Sequence, residues 1–175
     1  QTGVVQTRSS RMACLPEGLP VLAGATDSTA AFLASGATRV GDENSTLGST
    51  LVVKRLCSCI IGDRDGRCYS HKLPDNRWLL GAASNVGAAW IREDFPEIEF
   101  TKGSNENVWH LPTDNMAYPL TGIGERFPFR VPSATSFCTP PAENRQEEFA
   151  ANLQGLAFAE RLGYEIISDI TGISS

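Results

Sequence analysis

The sequence predicts an α/β fold with a mixed sheet, and three observations lead to that class. A short apolar run at residues 20–25 is followed by a polar turn and a helical segment at 29–36. Several β-rich runs with Gly, Asp and Asn turns follow over residues 45–80, and a long segment with helical spacing occupies 144–162. Strand–helix order, then strands, then helices, is the pattern of an α/β protein.

Composition places the chain among soluble globular proteins. Hydrophobic residues make up 41% and charged residues 20% of the 175 residues, which is ordinary for that class. No apolar run approaches the roughly 20 residues that a membrane helix needs, and the first residues lack the pattern of a signal peptide, so we expect a cytoplasmic protein with no membrane partner. The net charge is −5 and the Lys and Arg residues are scattered, which argues against nucleic-acid binding.

The first predicted unit is a strand, a polar turn and a short helix. The run at 20–25 is compatible with a buried strand. Asp27 or Ser28 is a suitable N-cap for the helix, and Gly36 is a suitable stop. Asp27 would then lie at the carboxyl end of a strand, where open α/β sheets place ligands. It is either a helix cap or a general base that takes a proton from a substrate hydroxyl during phosphoryl transfer.

A β-rich region follows residues 41–44, where we expect a domain boundary. Its short runs of β-branched and aromatic residues are separated by turn residues, which predicts an antiparallel meander. In chain order, the strands are predicted at 45–47, 50–54, 68–72 and 78–80, and the turns at 48–49, 62–66 and 74–76.

Two small-residue segments in this region could bind phosphate. The turn at 48–50 exposes backbone N–H groups and hydroxyls, which can hold phosphate without a P-loop, although a plain hairpin turn is the simpler alternative. Residues 81–89 are small and lead into a helix predicted over 86–95 and capped by Ser84 or Asn85. A helix N-terminus favours anions, and tight helix–sheet packing is the alternative there.

The remaining sequence is loop-rich and then helical. Residues 96–142 carry many Pro, Gly and Asn, and the Glu125–Arg126 pair beside aromatics indicates an ordered loop without chemistry of its own. The long helix is predicted to begin after Asn144 and to end at Gly163. Its apolar face, at helical spacing, comprises Phe149, Leu153, Leu156 and Ala157.

Five cysteines raise a metal-site alternative. An odd number argues against a closed disulfide framework. Cys57 and Cys59, with Cys68 and His71, could suggest a small zinc-binding domain, but C-x-C is not the usual spacing of structural zinc sites. We therefore expect reduced thiols and no metal ligands among them.

Taken in order and spacing, these segments resemble the FGGY carbohydrate kinases. Residues 23–31 resemble the segment that carries the family's catalytic aspartate, with Asp27 at the matching position. Residues 45–50 resemble its phosphate-binding hairpin, and residues 81–92 resemble its nucleotide-contacting segment, with Gly87 at the matching glycine. The resemblance implies contacts to the ATP phosphates from Gly48, Ser49 and Thr50.

The resemblance extends to two later segments. Residues 118–129 are similar to the loop before the family's later helices. Residues 154–158 resemble its Glu-Gly helix, with Gln154 in place of Glu. Such kinases have two actin-like (ribonuclease H-like) domains with the active site in the cleft between them. The resemblance therefore implies that residues 1–40 end the first domain and that residues 41–175 form a truncated start of the second, ATP-binding domain.

The implied activity is ATP-dependent, Mg²⁺-assisted phosphorylation of a sugar hydroxyl. The implied small-molecule substrate is a ketopentose such as D-ribulose or xylulose, and the family pattern allows a homodimer. The family's Asp-x-Gly-Thr hairpin and its late Gly-Gly-Gly motif are not in this sequence. We therefore expect this chain alone to be inactive and the full-length protein to be a kinase. The alternative is a non-catalytic actin-like module that binds nucleotide or a partner protein, with Asp27 only capping its helix.

Overall fold

The computed structural model divides into two compact units. It describes residues 3–22, 24–73, 75–96 and 112–173. The units are Gln1–Ala31 and Phe32–Ser175. The expected domain division between residues 40 and 41 concerns the domains of a whole kinase and stays a prediction. Within the described ranges, no helix combines the length and the hydropathy needed to cross a membrane.

The first unit contains two short strands and a helix, and it ends within a second helix. These elements are β1 (Gly3–Val4), α1 (Thr7–Ala13), β2 (Pro20–Val21) and the start of α2 (Asp27–Ala34). The expectation of a buried strand over 20–25 is wrong, because β2 has two residues and both are exposed. A strand is buried only when other layers cover it, and the described partner of β2 is the equally exposed β1.

The second unit is built on a four-stranded antiparallel sheet. Its strands are β3 (Glu43–Leu47), β4 (Leu51–Cys57), β5 (Cys68–Lys72) and β6 (Trp78–Ser84). The predicted β3–β4 hairpin is confirmed, with Leu47 opposite Leu51 and residues 48–50 forming its turn. The end of α2 packs on this sheet, because Phe32 is fully buried against Leu56 and Leu79.

The prediction of a sequential meander is wrong, because the strand order is β3-β4-β6-β5. Residues 63–66 do turn, with Gly66 N donating to Asp63 O at 3.1 Å, but β4 and β5 are not paired across that turn. Burial explains the order. β6 is mainly apolar and buried along most of its length, so it takes a central place, whereas the more polar β5 takes the edge.

The remaining elements are a short helix, a two-stranded ribbon and a long helix. They are α3 (Ala89–Asp94), β7 (Met116–Tyr118), β8 (Phe137–Thr139) and α4 (Arg145–Thr171). The predicted Asn144 cap is confirmed, since its side chain accepts from Glu147 N at 2.9 Å. The predicted stop at Gly163 is wrong: α4 continues for two more turns and ends at Gly172, which has φ 66°.

Packing explains why Gly163 lies inside α4. A Cβ built at Gly163 would lie 2.9 Å from the Phe127 ring, so the glycine lets an aromatic side chain approach the helix. The predicted apolar face is partly wrong as well, since Ala157 is exposed while Phe149 and Leu156 are buried. The buried α4 residues are Phe149, Ala150, Ala151, Asn152, Gly155, Leu156, Ala159, Gly163 and Ile167.

A buried arginine joins the sheet to the end of α4. Arg55, on β4, is fully buried, and its Nε donates to Glu43 Oε1 at 2.7 Å. Its Nη1 donates to Thr171 Oγ1 at 2.7 Å and to Ile173 O at 2.6 Å, and its Nη2 donates to Ser168 Oγ at 2.9 Å. A cation at this position also complements the partial negative charge of a helix C-terminus.

Candidate functional site

The turn of the β3–β4 hairpin presents backbone donors on the surface. Gly48 and Ser49 are exposed and Thr50 is half-buried. Gly48 N donates to Thr50 O at 3.0 Å and so is satisfied within the turn. In the described part of the chain, the N–H groups of Ser49 and Thr50 have no hydrogen-bond partner. Two neighbouring N–H groups and two hydroxyls are therefore available to an anion.

Gly87 packs directly against this turn. A Cβ built at Gly87 would lie 2.2 Å from Ser49 O and 2.5 Å from Thr50 Cα, far inside van der Waals contact. Hydrogen bonds hold the two segments together on either side, from Ala88 N to Gly48 O and from Leu51 N to Val86 O, both at 2.8 Å. The structure thus brings together the two segments that the sequence singled out for phosphate binding.

The helix after Gly87 begins later than the sequence predicted. α3 starts at Ala89, and Ala88 occupies the N-cap position without a side-chain cap. The predicted caps at Ser84 and Asn85 are wrong. Ser84 is the last residue of β6, and the hydroxyl of Ser84 and the backbone N–H of Asn85 donate to a carboxylate elsewhere in the chain. Residues 85–88 therefore connect β6 to α3 and run beside the hairpin turn.

A shallow cavity lies where the turn and α3 meet. It has a volume of about 270 Å³ and is lined by Gly48, Ser49, Ala88, Ala89 and Arg92. Arg92 is exposed, and it forms no ion pair within the described residues. Small residues leave room for a ligand near the backbone, and a guanidinium adds positive charge beside the turn. Sequence reasoning missed Arg92, which a search for cations one helical turn after Ala88 would have found.

The carboxylate of Glu125 holds this connection, a role that the sequence did not indicate when it placed Glu125 in an ordered loop. Glu125 is 4% exposed, and its Oε2 accepts from Ser84 Oγ at 2.8 Å and from Tyr118 OH at 2.7 Å. Its Oε1 accepts from Asn85 N at 2.8 Å. Burial, followed by the hydrogen bond to Glu125, raises the pKa of Tyr118, so its hydroxyl remains a donor. The available signal was an acidic residue close to aromatics, a setting in which a buried carboxylate needs hydrogen-bond donors.

Asp27 is the first residue of α2 and is exposed. The expectation that Asp27 or Ser28 caps the helix is wrong, because Thr26 lies at the N-cap. Thr26 O accepts from Ala30 N at 2.9 Å, and its Oγ1 lies 3.4 Å from Thr29 N. Asp27 Oδ1 accepts from the adjacent Ser28 N at 2.7 Å. The cap does not need the carboxylate of Asp27. Asp27 belongs to the first unit and the hairpin turn to the second.

The cysteines form no disulfide among the described residues. Cys14 and Cys59 are exposed, whereas Cys57 is buried. Burial raises the pKa of the Cys68 thiol to about 12. Over the described ranges, no group of three or more His, Cys, Asp and Glu side chains is arranged to hold a metal ion.

Comparison with known proteins identifies sugar kinases as relatives. No protein-family model matches the chain. A curated gluconokinase from Bacillus licheniformis is 30% identical over 156 residues, which cover 79% of this chain and 30% of the gluconokinase. Among solved structures, the xylulose kinase from Rhodospirillum rubrum superposes with a TM-score of 0.69 at 22% identity, covering 99% of this chain and 36% of that kinase.

Two further structures agree with this fold. A xylulose kinase from Brucella ovis has a TM-score of 0.69 at 18% identity, covering 97% of this chain and 36% of its own. A ligand-bound xylulose kinase from Lactobacillus acidophilus has a TM-score of 0.67 at 17% identity, covering 94% of this chain and 34% of its own. The chain spans about a third of the length of these relatives. The mixed α/β chain described here belongs to the FGGY carbohydrate kinase family.

Proposed function

We propose that this chain is the part of an ATP-dependent sugar kinase that binds the nucleotide phosphates and supplies the catalytic base. The observation that carries the proposal is the contact between Gly87 and the turn at 48–50, beside a cavity that also includes Arg92. The sequence resemblance assigns both segments to the nucleotide. Their packing against each other supports a common ligand, and the membership in a kinase family supports ATP as that ligand.

The proposed phosphate contacts come from the backbone and from one arginine. The N–H groups of Ser49 and Thr50 and their hydroxyls would donate to phosphate oxygens. Arg92 would add charge-assisted hydrogen bonds. Gly48 and Gly87 would allow the phosphates and the turn to approach closely. Mg²⁺ would arrive with ATP, since it is bound largely by phosphate oxygens and water in such sites.

Asp27 is the proposed general base. Its carboxylate would accept the proton of the sugar hydroxyl as that oxygen attacks the γ-phosphorus. Because Thr26 already lies at the N-cap of α2, the exposed carboxylate of Asp27 is available for that task. The same geometry weakens the alternative of a non-catalytic module in which Asp27 only caps the helix.

The finer architecture is proposed from the family. A ribonuclease H-like, two-domain kinase would have residues 1–40 at the end of its first domain and residues 41–175 at the start of its second. Its cleft would need both domains, since phosphoryl transfer depends on positioning, so this chain alone would be inactive. We also propose a cytoplasmic enzyme that can form a homodimer.

The proposed sugar is a ketopentose such as xylulose or D-ribulose. The xylulose kinases whose fold the chain shares support a ketopentose, whereas the gluconokinase relative supports a sugar acid. Purified full-length protein would be assayed for ATP consumption with D-xylulose, D-ribulose and D-gluconate. A kcat/KM highest for gluconate would overturn the ketopentose assignment and leave the kinase assignment intact.

Two substitutions in the full-length protein test the site. Asp27→Asn keeps an oxygen for Ser28 N but removes the base, so kcat should fall by about 10²–10⁴ with little change in Tm. Gly48→Ala should be tolerated by the fold, because the added Cβ would meet only Thr50 O, at 3.9 Å. The added methyl group would instead obstruct phosphate, so KM for ATP should rise.

The matched control is Gly62→Ala, where an added Cβ would meet no heavy atom within 4 Å. Its kinetic constants should equal those of the wild type. Full sugar-dependent ATP consumption by the Asp27→Asn enzyme would rule out Asp27 as the base and leave the kinase assignment intact. Absence of sugar-dependent ATP consumption by the wild-type full-length protein would favour the non-catalytic alternative. Unchanged KM for ATP in Gly48→Ala would rule out the phosphate-binding turn.

A further inference from the structure

Glu125 is a charged side chain in the interior of the second unit. It is 4% exposed and lies outside the helices and strands, in an isolated bridge with Val131. Its backbone N–H donates to Val131 O at 2.8 Å and its carbonyl accepts from Val131 N at 2.9 Å, so its backbone is fixed. Burying a carboxylate is costly unless the charge is well satisfied, and its neighbours supply that satisfaction.

Five donors surround the carboxylate. Oε2 accepts from the hydroxyls of Ser84 and Tyr118, at 2.8 and 2.7 Å. Oε1 accepts from three backbone N–H groups, those of Asn85 and Arg126 at 2.8 Å and of Phe127 at 3.3 Å. Within the described ranges, Glu125 forms no ion pair with a Lys or Arg side chain. Neutral hydrogen-bond donors therefore hold the Glu125 carboxylate. Because hydrogen bonds are directional, the carboxylate in turn fixes the positions of these donors.

Two of these donors begin the connection that supports the hairpin turn. Ser84 ends β6, and its Oγ also accepts from Val86 N at 3.0 Å. Asn85 contributes its N–H to Glu125 and its side-chain Nδ2 to Gly124 O at 2.9 Å. One residue further, Val86 O accepts from Leu51 N, and Gly87 then lies against the backbone of Ser49. An unbroken set of contacts thus runs from the carboxylate to the turn.

We propose that Glu125 is a positioning residue for the nucleotide phosphates, because its carboxylate sets the path of residues 84–88 and thereby the place of the turn at 48–50. This inference rests on the proposed function of that turn. Glu125 does not line the cavity, and its described hydrogen bonds do not reach residues 48–50, so it acts through the connection and not as a ligand. The ligand it serves is the triphosphate of a nucleotide.

The test compares three variants of the full-length protein. In Glu125→Ala the donors of Ser84, Tyr118 and Asn85 lose their acceptor, and KM for ATP should rise by at least about tenfold, since small displacements at a reacting site are costly. KM for the sugar should stay within about twofold, because the connection contacts the turn that we propose for the ATP phosphates. Glu125→Gln keeps one acceptor oxygen for the backbone N–H groups, and its amide can donate to the two hydroxyl oxygens, so it should restore most of the ATP affinity.

The control is Gln154→Leu. Gln154 is a half-buried, hydrogen-bonded polar residue, whose Oε1 accepts from Thr113 N and whose Nε2 donates to Thr113 O, both at 3.0 Å. Loss of the Gln154 hydrogen bonds should lower Tm and leave KM for ATP unchanged. If Glu125→Ala fails to fold, Tyr118→Phe is measured instead; it removes one donor to Oε2 and should raise KM for ATP by about two- to fivefold.

Three results would overturn the inference. The first is a Glu125→Ala enzyme with lower Tm and wild-type KM for ATP. The second is an equal rise in KM for ATP and for the sugar, which marks a general structural defect. The third, where Glu125→Ala does not fold, is a Tyr118→Phe enzyme with unchanged KM for ATP. The Gly48→Ala variant separates the two proposals. If Gly48→Ala raises KM for ATP and the Glu125 variants do not, the positioning role fails alone; if Gly48→Ala also has no effect, the proposed function fails with it.

Discussion

Gly87→Ala is the substitution whose effect follows most directly from the structure. The added Cβ would lie 2.2 Å from Ser49 O, 2.4 Å from Ser49 C and 2.5 Å from Thr50 Cα. All three are backbone atoms, so no side-chain rotation can relieve the overlap. Carbon atoms pack at about 3.5–4.0 Å, so the turn and the β6–α3 connection must separate by at least about 1 Å.

That displacement sets the expected magnitudes. Overpacking a fitted contact costs about 1–3 kcal/mol of stability, which should lower the free energy of unfolding by that amount. A shift of about 1 Å in a substrate-positioning group can cost about 100-fold in rate. We therefore expect kcat/KM for ATP to fall by about 100-fold, equivalent to about 2.7 kcal/mol of transition-state stabilisation.

The assay needs both quantities from the same full-length protein. Urea unfolding gives the stability change, and a coupled ATP-consumption assay at saturating sugar gives kcat/KM for ATP. Gly62→Ala is the control and should change stability by less than about 0.5 kcal/mol. If Gly87→Ala retains wild-type kcat/KM for ATP while losing stability, the turn moved without consequence and the assignment of phosphate binding to it is wrong. If neither the stability nor kcat/KM for ATP changes, the close approach of Gly87 to the turn is wrong.

Two further substitutions test the energetics of the second unit. Arg55→Met removes a buried cation from Glu43 and Thr171 and should cost about 3–5 kcal/mol in urea unfolding, because one partner of a buried pair is left uncompensated; a cost below about 1 kcal/mol would refute the network. The hydrogen bond from Arg67 lowers the pKa of Asp63 to about 2, and the Asp63 side chain is 3% exposed. The pKa is depressed on folding, so the stabilisation is present at neutral pH and lost as pH falls from about 4 to about 2. Asp63→Asn should therefore be about 2 kcal/mol less stable at pH 7 and no less stable near pH 2, and a gap that persists at pH 2 would contradict this.

Local chemistry made part of this fold predictable. The β3–β4 hairpin is predictable because two β-rich runs flank a Gly-Ser turn, and all of that information lies within a dozen residues. The Asn144 cap of α4 is equally local, since one side chain and one N–H three residues later decide it. Gly36, with φ 81°, follows α2 as its type and place indicated.

The wrong predictions concern features that depend on contacts between residues far apart in sequence. The order β3-β4-β6-β5 depends on which strand can be buried by other layers, and the turn residues carry no information on that. Gly163 resembles a helix stop, but the Phe127 ring that packs against it lies far away in sequence. Ser84 is a good helix cap by residue type, yet its hydroxyl donates instead to the carboxylate of Glu125, which lies 41 residues away in sequence.

In the candidate site too, features set by local sequence were predictable and features set by distant contacts were not. Gly48, Ser49, Thr50 and Gly87 were selected from their types and order, and the structure brings the turn and Gly87 into contact. Their roles in binding ATP stay predictions, as does the role of Asp27 in catalysis. The places of Arg92 and Glu125 beside the turn and its connection were not predicted, because residue type and order do not show which distant groups these side chains face.

The strand order has a consequence for synthesis on the ribosome. The β3–β4 hairpin emerges before β6, so one edge of β4 stays unpaired until β6 has been synthesised. β6 ends 27 residues after β4. At about 5–20 residues per second, this interval lasts about 1–5 s. During it, a largely apolar strand presents unpaired N–H and C=O groups to any neighbouring chain. Crowded nascent chains would therefore be most prone to misassembly at this stage, and slower translation of residues 58–84 would prolong the exposure.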